Sequence, residues 1–195
     1  MTGTRKLLAA LAALAACSPA LAQETGFYIG AALGQSSYRE GCADFNRVAG
    51  TTADAFTCTR EDTAGKVFAG WRFLRYLAAE VSYIDYGEAR ASSVVPGAPA
   101  SGTSRVKAAG ISALGILPLG ERYSILGRLG LLDTRTRTQV SGAVAATEDD
   151  NDTQMHVGIG ALYQFGRGGW GMRVEYERLN DSKIDLFSLG VQYRF

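Results

Sequence analysis

From Gly26 onward the chain keeps one rhythm, an apolar position followed by a polar or small one, sustained for about ten residues and then broken. The clearest stretch sets Met155, Val157, Ile159, Ala161, Tyr163 and Phe165 against Gln154, His156, Gly158, Gly160, Leu162 and Gln164. Alternation of period two over this length specifies a strand with one apolar face. The same pattern recurs in Phe27, Ile29, Ala31 and Leu33 near the start, in Trp170, Met172, Val174 and Tyr176, and in Phe187, Leu189, Val191, Tyr193 and Phe195 at the end. Eight segments follow from it: 26–40, 64–73, 77–90, 104–118, 123–138, 152–165, 170–179 and 183–195. Alternation is weakest in 104–118, where Ile111, Leu114, Ile116 and Leu117 fall on both faces. The breaks at 74–76, 119–122 and 166–169 are short, whereas those at 41–63, 91–103 and 139–151 are long and polar; only the last of the outer breaks, at 180–182, is short. Short turns at one end and long loops at the other predict an eight-stranded antiparallel up-and-down barrel of the outer-membrane type.

The contents of the two faces separate a membrane barrel from a soluble one. A soluble eight-stranded barrel turns its apolar face inward. Here the bulky face carries Trp71, Tyr83, Tyr163, Phe165, Trp170, Tyr176 and Tyr193, with aromatics near segment ends as interface girdles. The opposite face carries Gly30, Gly34, Gly158, Gly160, Glu80, Arg128, Arg173 and Glu175, which suits a narrow, polar, Gly-rich lumen. Closing the sheet would leave no backbone group unpaired in lipid. Composition agrees: 24 glycines and many aromatics accompany only 4 prolines. A mean hydropathy near zero is what strands that divide their residues between lipid and a wet lumen should show. The longest apolar run, Leu7 to Cys17, is shorter than the roughly 20 residues a spanning helix needs. With 20 basic and 19 acidic residues the chain has no overall field to attract nucleic acid.

The amino terminus reads as an address. Arg5 and Lys6 precede the Leu/Ala-rich run, and Pro19-Ala20-Leu21-Ala22 closes it with small residues, so residues 1–22 are expected to be a cleaved secretory signal and 23–195 the barrel domain. A competing reading takes Leu14-Ala15-Ala16-Cys17 as a lipoprotein box, with Cys17 lipidated. Export leaves Cys42 and Cys58 as one pair in an oxidising compartment, for which a disulfide is the expected state. Such a bridge closes a loop of about 16 residues, worth roughly 3 kcal/mol. A metal site is the alternative there, although no His or acidic cluster completes a ligand set.

Several segments together resemble the eight-stranded outer-membrane barrel family that includes the OmpA transmembrane domain. They are Gly26-Phe-Tyr-Ile-Gly-Ala-Ala-Leu-Gly34, Lys66-Val-Phe-Ala-Gly-Trp-Arg-Phe73, Leu77-Ala-Ala-Glu-Val-Ser-Tyr83, Gly127-Arg-Leu-Gly130, Met172-Arg-Val-Glu-Tyr176 and Leu186-Phe-Ser-Leu-Gly-Val-Gln-Tyr-Arg-Phe195. The resemblance implies an outer-membrane location and a lumen blocked by paired charges, for which the matching residues are Glu80, Arg128, Arg173 and Glu175. Two positions depart from the family: its interior lysine on strand four and acid on strand six are replaced by Leu114 and Leu162. The resemblance also makes Phe195 the expected signal to the barrel assembly machinery. No peptidoglycan-binding domain is expected, and the Cys42–Cys58 pair is a feature of only some relatives.

The expected role is therefore structural, in outer-membrane integrity, with the lumen plugged. A narrow ion-conducting pore and a surface barrel that binds a ligand or host through its outer loops are the alternatives. Catalysis is not expected: the single histidine, His156, is expected near the outer rim and is followed on its own face by Gly158, so the His-x-Ser arrangement of the lipid A deacylase barrels is absent. Glu148, Asp149, Asp150 and Asp152 are expected in a solvated third outer loop, without the spacing of an EF-hand. Arg135 and Arg137 before it have the chemistry to meet lipopolysaccharide phosphates. Expected partners are outer-membrane lipids, lipopolysaccharide and the assembly machinery, for a monomer with no cofactor, no metal and no nucleic acid.

Overall fold

A computed structural model describes residues 25–38, 56–59, 61–93, 101–141, 146–166 and 168–195. Within them lie nine strands: β1 Gly26–Tyr38, β2 Phe56–Thr59, β3 Glu61–Leu74, β4 Leu77–Ser93, β5 Ser101–Pro118, β6 Tyr123–Ser141, β7 Ala146–Gln164, β8 Trp170–Leu179 and β9 Ile184–Arg194. Every pairing is antiparallel. Each long strand bonds to its sequence neighbours among the long strands, and β1 bonds to both β3 and β9, so eight strands close into an up-and-down barrel. Short β2 continues the line of β3 along the far end of β4, from Phe56 opposite Ser93 to Thr59 opposite Arg90.

The alternation read from sequence is the alternation of the wall. Along β1, Phe27, Ile29 and Leu33 face out, while Tyr28, Ala32 and Ser36 are buried inside. β5 is as regular: Leu114 and Ile116 point inward and Ile111 and Leu117 outward, which resolves the segment whose apolar residues fell on both faces. On β4 the parity changes once. Gly87, at φ 81°, forms a bulge between Asp85 and Glu88, after which Ala89 and Ala91 face inward. A positive φ is cheap for glycine, and the bulge is pinned by Gly87 N–H donating to Asp85 Oδ1 (3.1 Å) and Glu88 N–H donating to Asp62 Oδ2 (2.6 Å).

At the short-turn end, Phe27 stacks on Trp71 (5.8 Å between centroids), Tyr123 meets Tyr163 (4.9 Å) and Trp170 meets Tyr193 (5.1 Å), which in turn meets Phe195 (5.1 Å). These rings make one girdle. Tyr83, Tyr176 and Phe187 lie at the other edge of the apolar band, beyond which the outer wall turns ionic. The strands continue past this edge. β5 has 18 residues and β6 and β7 have 19 each, against the roughly 9–11 that cross a bilayer. Parts of 91–103 and 139–151, expected as loops, are therefore paired strand, and β2 lies inside the expected first loop. In particular Asp149, Asp150 and Asp152 sit on β7, opposite Arg137, Thr136 and Thr134 of β6, and Glu148 lies opposite Thr138. Above the membrane the outward face is polar and the inward face, with Ser104, Thr134 and Thr138, is buried but polar too, so the chain pairs without any apolar alternation to mark it.

Candidate functional site

Three layers of side chains fill the lumen. At the short-turn end, Tyr28, Phe68, Ala78, Leu114, Ile116, Leu126 and Leu162 form an apolar floor. Toward the outside, Tyr38, Ile84, Tyr86, Val106, Leu132, Leu179, Ile184 and Leu186 form an apolar lid. Between them lies a belt of charge contributed by β3, β4, β6, β7 and β8.

The belt is closely knit. Glu80 on β4 accepts from Arg128 Nη2 (2.5 Å) through one oxygen and from Arg173 Nη1 (2.8 Å) and the Tyr28 hydroxyl (3.0 Å) through the other. Glu175 Oε1 accepts from Arg173 Nη2 (2.8 Å) and Arg128 Nη2 (3.1 Å), and its other oxygen accepts from Lys66 Nζ (2.9 Å). Lys66 also donates to Glu177 Oε1, while Glu177 Oε2 stands 2.7 Å from His156 Nε2 and 3.8 Å from Arg128 Nε. Phe68 of the floor presents its ring to the Arg173 guanidinium at 4.6 Å, a cation–π contact that gains strength where water is excluded. Three carboxylates thus face Lys66, Arg128 and Arg173, every one of these side chains at most 3% exposed. Charges held this deep are tolerable only because each is paired, since desolvating an unpartnered ion is prohibitive.

Local sequence explains how such long side chains meet. β8 projects Arg173, Glu175 and Glu177 from successive inward positions, and the walls opposite and beside it are trimmed. Gly70 lies against the Tyr28 ring and Gly30 against the Phe68 ring, each so near that a Cβ would overlap it. Gly160 likewise leaves room for Glu175.

Glu80, Arg128, Arg173 and Glu175 are brought together by the fold, on β4, β6 and β8. Lys66, Glu177 and His156 join them, and Tyr28 adds a hydroxyl. All four were legible as inward by parity alone: Lys66 shares a face with Gly70, Glu177 with Glu175, His156 with Gly158 and Tyr28 with Gly30. Lys66 adds a third cation to the set, and the two leucines, Leu114 and Leu162, belong to the floor. His156 is not at the outer rim. It is fully buried beneath the lid, because β7 extends well beyond it. Phe195 is on the outward wall, 72% exposed, with its N–H donating to Phe27 O (3.0 Å). Cys17 and Cys42 lie outside the described residues. Of Cys58 only the backbone is among the described residues, on β2 opposite Ala91. Among the described residues no group of three His, Cys, Asp or Glu side chains is arranged to hold a metal ion.

Comparison with known proteins places this architecture. Neisserial surface protein A is 15% identical over 87% of this chain and 97% of its own, with a TM-score of 0.53. Ail, the attachment invasion locus protein of Yersinia pestis, is 16% identical over 88% and 97%, with a TM-score of 0.52. The N-terminal β-barrel domain of Pseudomonas aeruginosa OprF is 13% identical over 87% and 98%, with a TM-score of 0.57. At these identities the likeness is one of fold. None of the curated proteins matches the sequence. The family model described as "Outer membrane protein beta-barrel domain" matches residues 8–195. The chain therefore belongs to the outer-membrane β-barrel domain family, and its apolar outer wall stands in the outer membrane of a bacterium.

Proposed function

We propose that this protein is a structural barrel of the outer membrane whose lumen is permanently plugged. The observation that carries the reading is the stack of floor, charged belt and lid across the lumen. An ion crossing it would have to leave water at two apolar layers and part the buried network of three carboxylates and three cations between them. The interior of eight strands is just wide enough for side chains to fill. A narrow ion-conducting pore is the weaker reading for the same reason. Catalysis is not assigned: His156 has a carboxylate partner in Glu177, but among the described residues the pair is fully buried between lid and floor.

In this reading residues 1–22 are removed on export, Cys42 and Cys58 are bridged outside the cell, and Phe195 guides the assembly machinery. The mature barrel is a monomer among lipids and lipopolysaccharide. A strain lacking the protein is expected to become sensitive to detergents and bile acids, with resistance restored by the wild-type gene. Unchanged resistance in the deletion strain would refute the structural role.

One observation favours a second reading, surface binding. The strands that outrun the bilayer form a paired polar collar, with Arg135 and Arg137 on β6 beside Asn151 and Asp149 on β7. A rigid collar holds a binding surface in a fixed shape at low entropic cost. The related Ail fold has been crystallised with the heparin analogue sucrose octasulfate. In the same complemented strain, replacing the segments 94–100 and 142–145 distinguishes the readings, because a structural barrel keeps detergent resistance after the exchange.

A further inference from the structure

The periplasmic mouth of the lumen, beneath the floor, is built unlike the belt. A cavity of about 20 Å³ opens there, lined by Tyr28, Arg72, Arg173, Arg194, Gln164 and Gln192 together with floor residues Leu114, Ile116, Leu126 and Leu162. Three arginines and two amides converge, and among the described residues no carboxylate lines it. Arg72 is buried and braced, its guanidinium donating to the Arg75 carbonyl of the β3–β4 turn through Nε (3.1 Å) and Nη2. Two glycines stand in register beside the lining: Gly26 opposite Arg72, and Gly171 between Gln164 and Gln192. A second observation is independent of this lining. Arg173 is 2% exposed, and its Nε has no hydrogen-bond partner among the described residues, although Nη1 and Nη2 are both used by the belt. A buried donor left without an acceptor is costly. The volume of the cavity is that of roughly one water or one oxyanion oxygen.

We infer that this mouth is a binding site for an oxyanion presented from the periplasmic side, of the phosphate class. One oxygen enters the cavity toward Arg173, and the rest of the group faces Arg72, Arg194 and the two amides. Planar guanidinium donors suit tetrahedral oxyanions through paired N–H groups. The same chemistry is offered by free inorganic phosphate and by the headgroup of an anionic phospholipid in the inner leaflet. The site lies on the periplasmic side of the plug, sharing Arg173 with the belt and Tyr28, Leu114, Ile116, Leu126 and Leu162 with the floor.

The test uses the full mature protein refolded in maltoside micelles, which contain no phosphate. Arginine Nε–H and glutamine side-chain amide resonances are followed by NMR while sodium phosphate, or sodium chloride at equal ionic strength, is added. A parallel series adds dihexanoyl phosphatidylglycerol or the zwitterionic dihexanoyl phosphatidylcholine. Saturable shifts at Arg72, Arg173, Arg194, Gln164 and Gln192 with phosphate beyond chloride support the site and identify a free oxyanion. Shifts with phosphatidylglycerol only, and not with phosphatidylcholine, support it and identify the headgroup. Arg194→Gln, at the half-exposed edge of the mouth, should weaken the binding at least tenfold, and the double variant with Arg72→Gln should abolish it. Folding of each variant is checked by heat-shifted migration in gels, and Arg194→Gln alone suffices where the double variant does not fold. Absence of saturation with both ligands, or saturation retained within twofold in the folded variants, would overturn the inference.

Discussion

Glu80 and Asp85 lie on the same strand, β4, each beside arginine, and their situations are opposite. Glu80 points into the lumen, where Arg128, Arg173 and Tyr28 take both its oxygens and it is 2% exposed. Asp85 points outward above the apolar band, with Arg105 at 2.8 Å and Lys107 at 3.7 Å and solvent around them. Glu88 and Arg90 extend the outer set at separations near the limit of an ion pair, 3.7 Å to Arg105 and 3.8 Å between themselves. The inner set was taken out of water at high cost and is worth keeping only as a whole. Each member is needed because its loss strands another. The outer ion pairs are screened and individually replaceable, and the Asp85 Oδ1 that accepts from Gly87 N–H at the bulge has its counterpart in an asparagine side chain. The number of ion pairs therefore says little; their position relative to the apolar layers decides what they do.

The largest effect is expected from breaking the inner set. Glu80→Ala leaves two buried guanidiniums without their shared carboxylate and should lower stability by about 3–5 kcal/mol, measured by urea unfolding of the refolded barrel in lipid vesicles. A loss no greater than that of a surface substitution would remove the distinction between the two sets. Next comes the layer that keeps water from the belt. Leu132 in the lid is fully buried, and Leu132→Ala should cost about 3 kcal/mol as a core truncation, by the same measurement. The smallest effect belongs to the outer set. Asp85→Asn should leave the unfolding midpoint close to wild type, with any difference vanishing at about 0.5 M salt, where charges are screened within a few ångströms. A large, salt-insensitive loss at Asp85 would contradict the comparison.

How much of this was legible follows from where alternation exists. Inside the bilayer one face must be apolar, so the residues that face lipid mark the strand and fix its register. A slip of one residue would have turned Phe27, Ile29 and Leu33 inward. That is why the barrel, its closure and the inward placing of Glu80, Arg128, Arg173 and Glu175 could be read. Beyond the bilayer both faces are polar, and Thr134 to Val140 pair with Ala146 to Asp152 without an apolar signature, so the pattern marks these strands as shorter than they are. The belt was half legible for a different reason. Parity puts Lys66, His156 and Glu177 inside, but only the tilt and stagger of the closed sheet determine which inward residues share a level. The apolar lid and floor were hidden as well, because Ile84, Leu132 and Leu186 face inward on a wall expected to be polar throughout.

Planar-bilayer recording on the purified barrel tests the plugged lumen most directly. The wild type, with floor, belt and lid intact, should give no resolved conductance steps under applied voltage. Long-lived, reproducible openings of the folded wild-type barrel, abolished on unfolding, would show that ions pass the belt and would contradict the account.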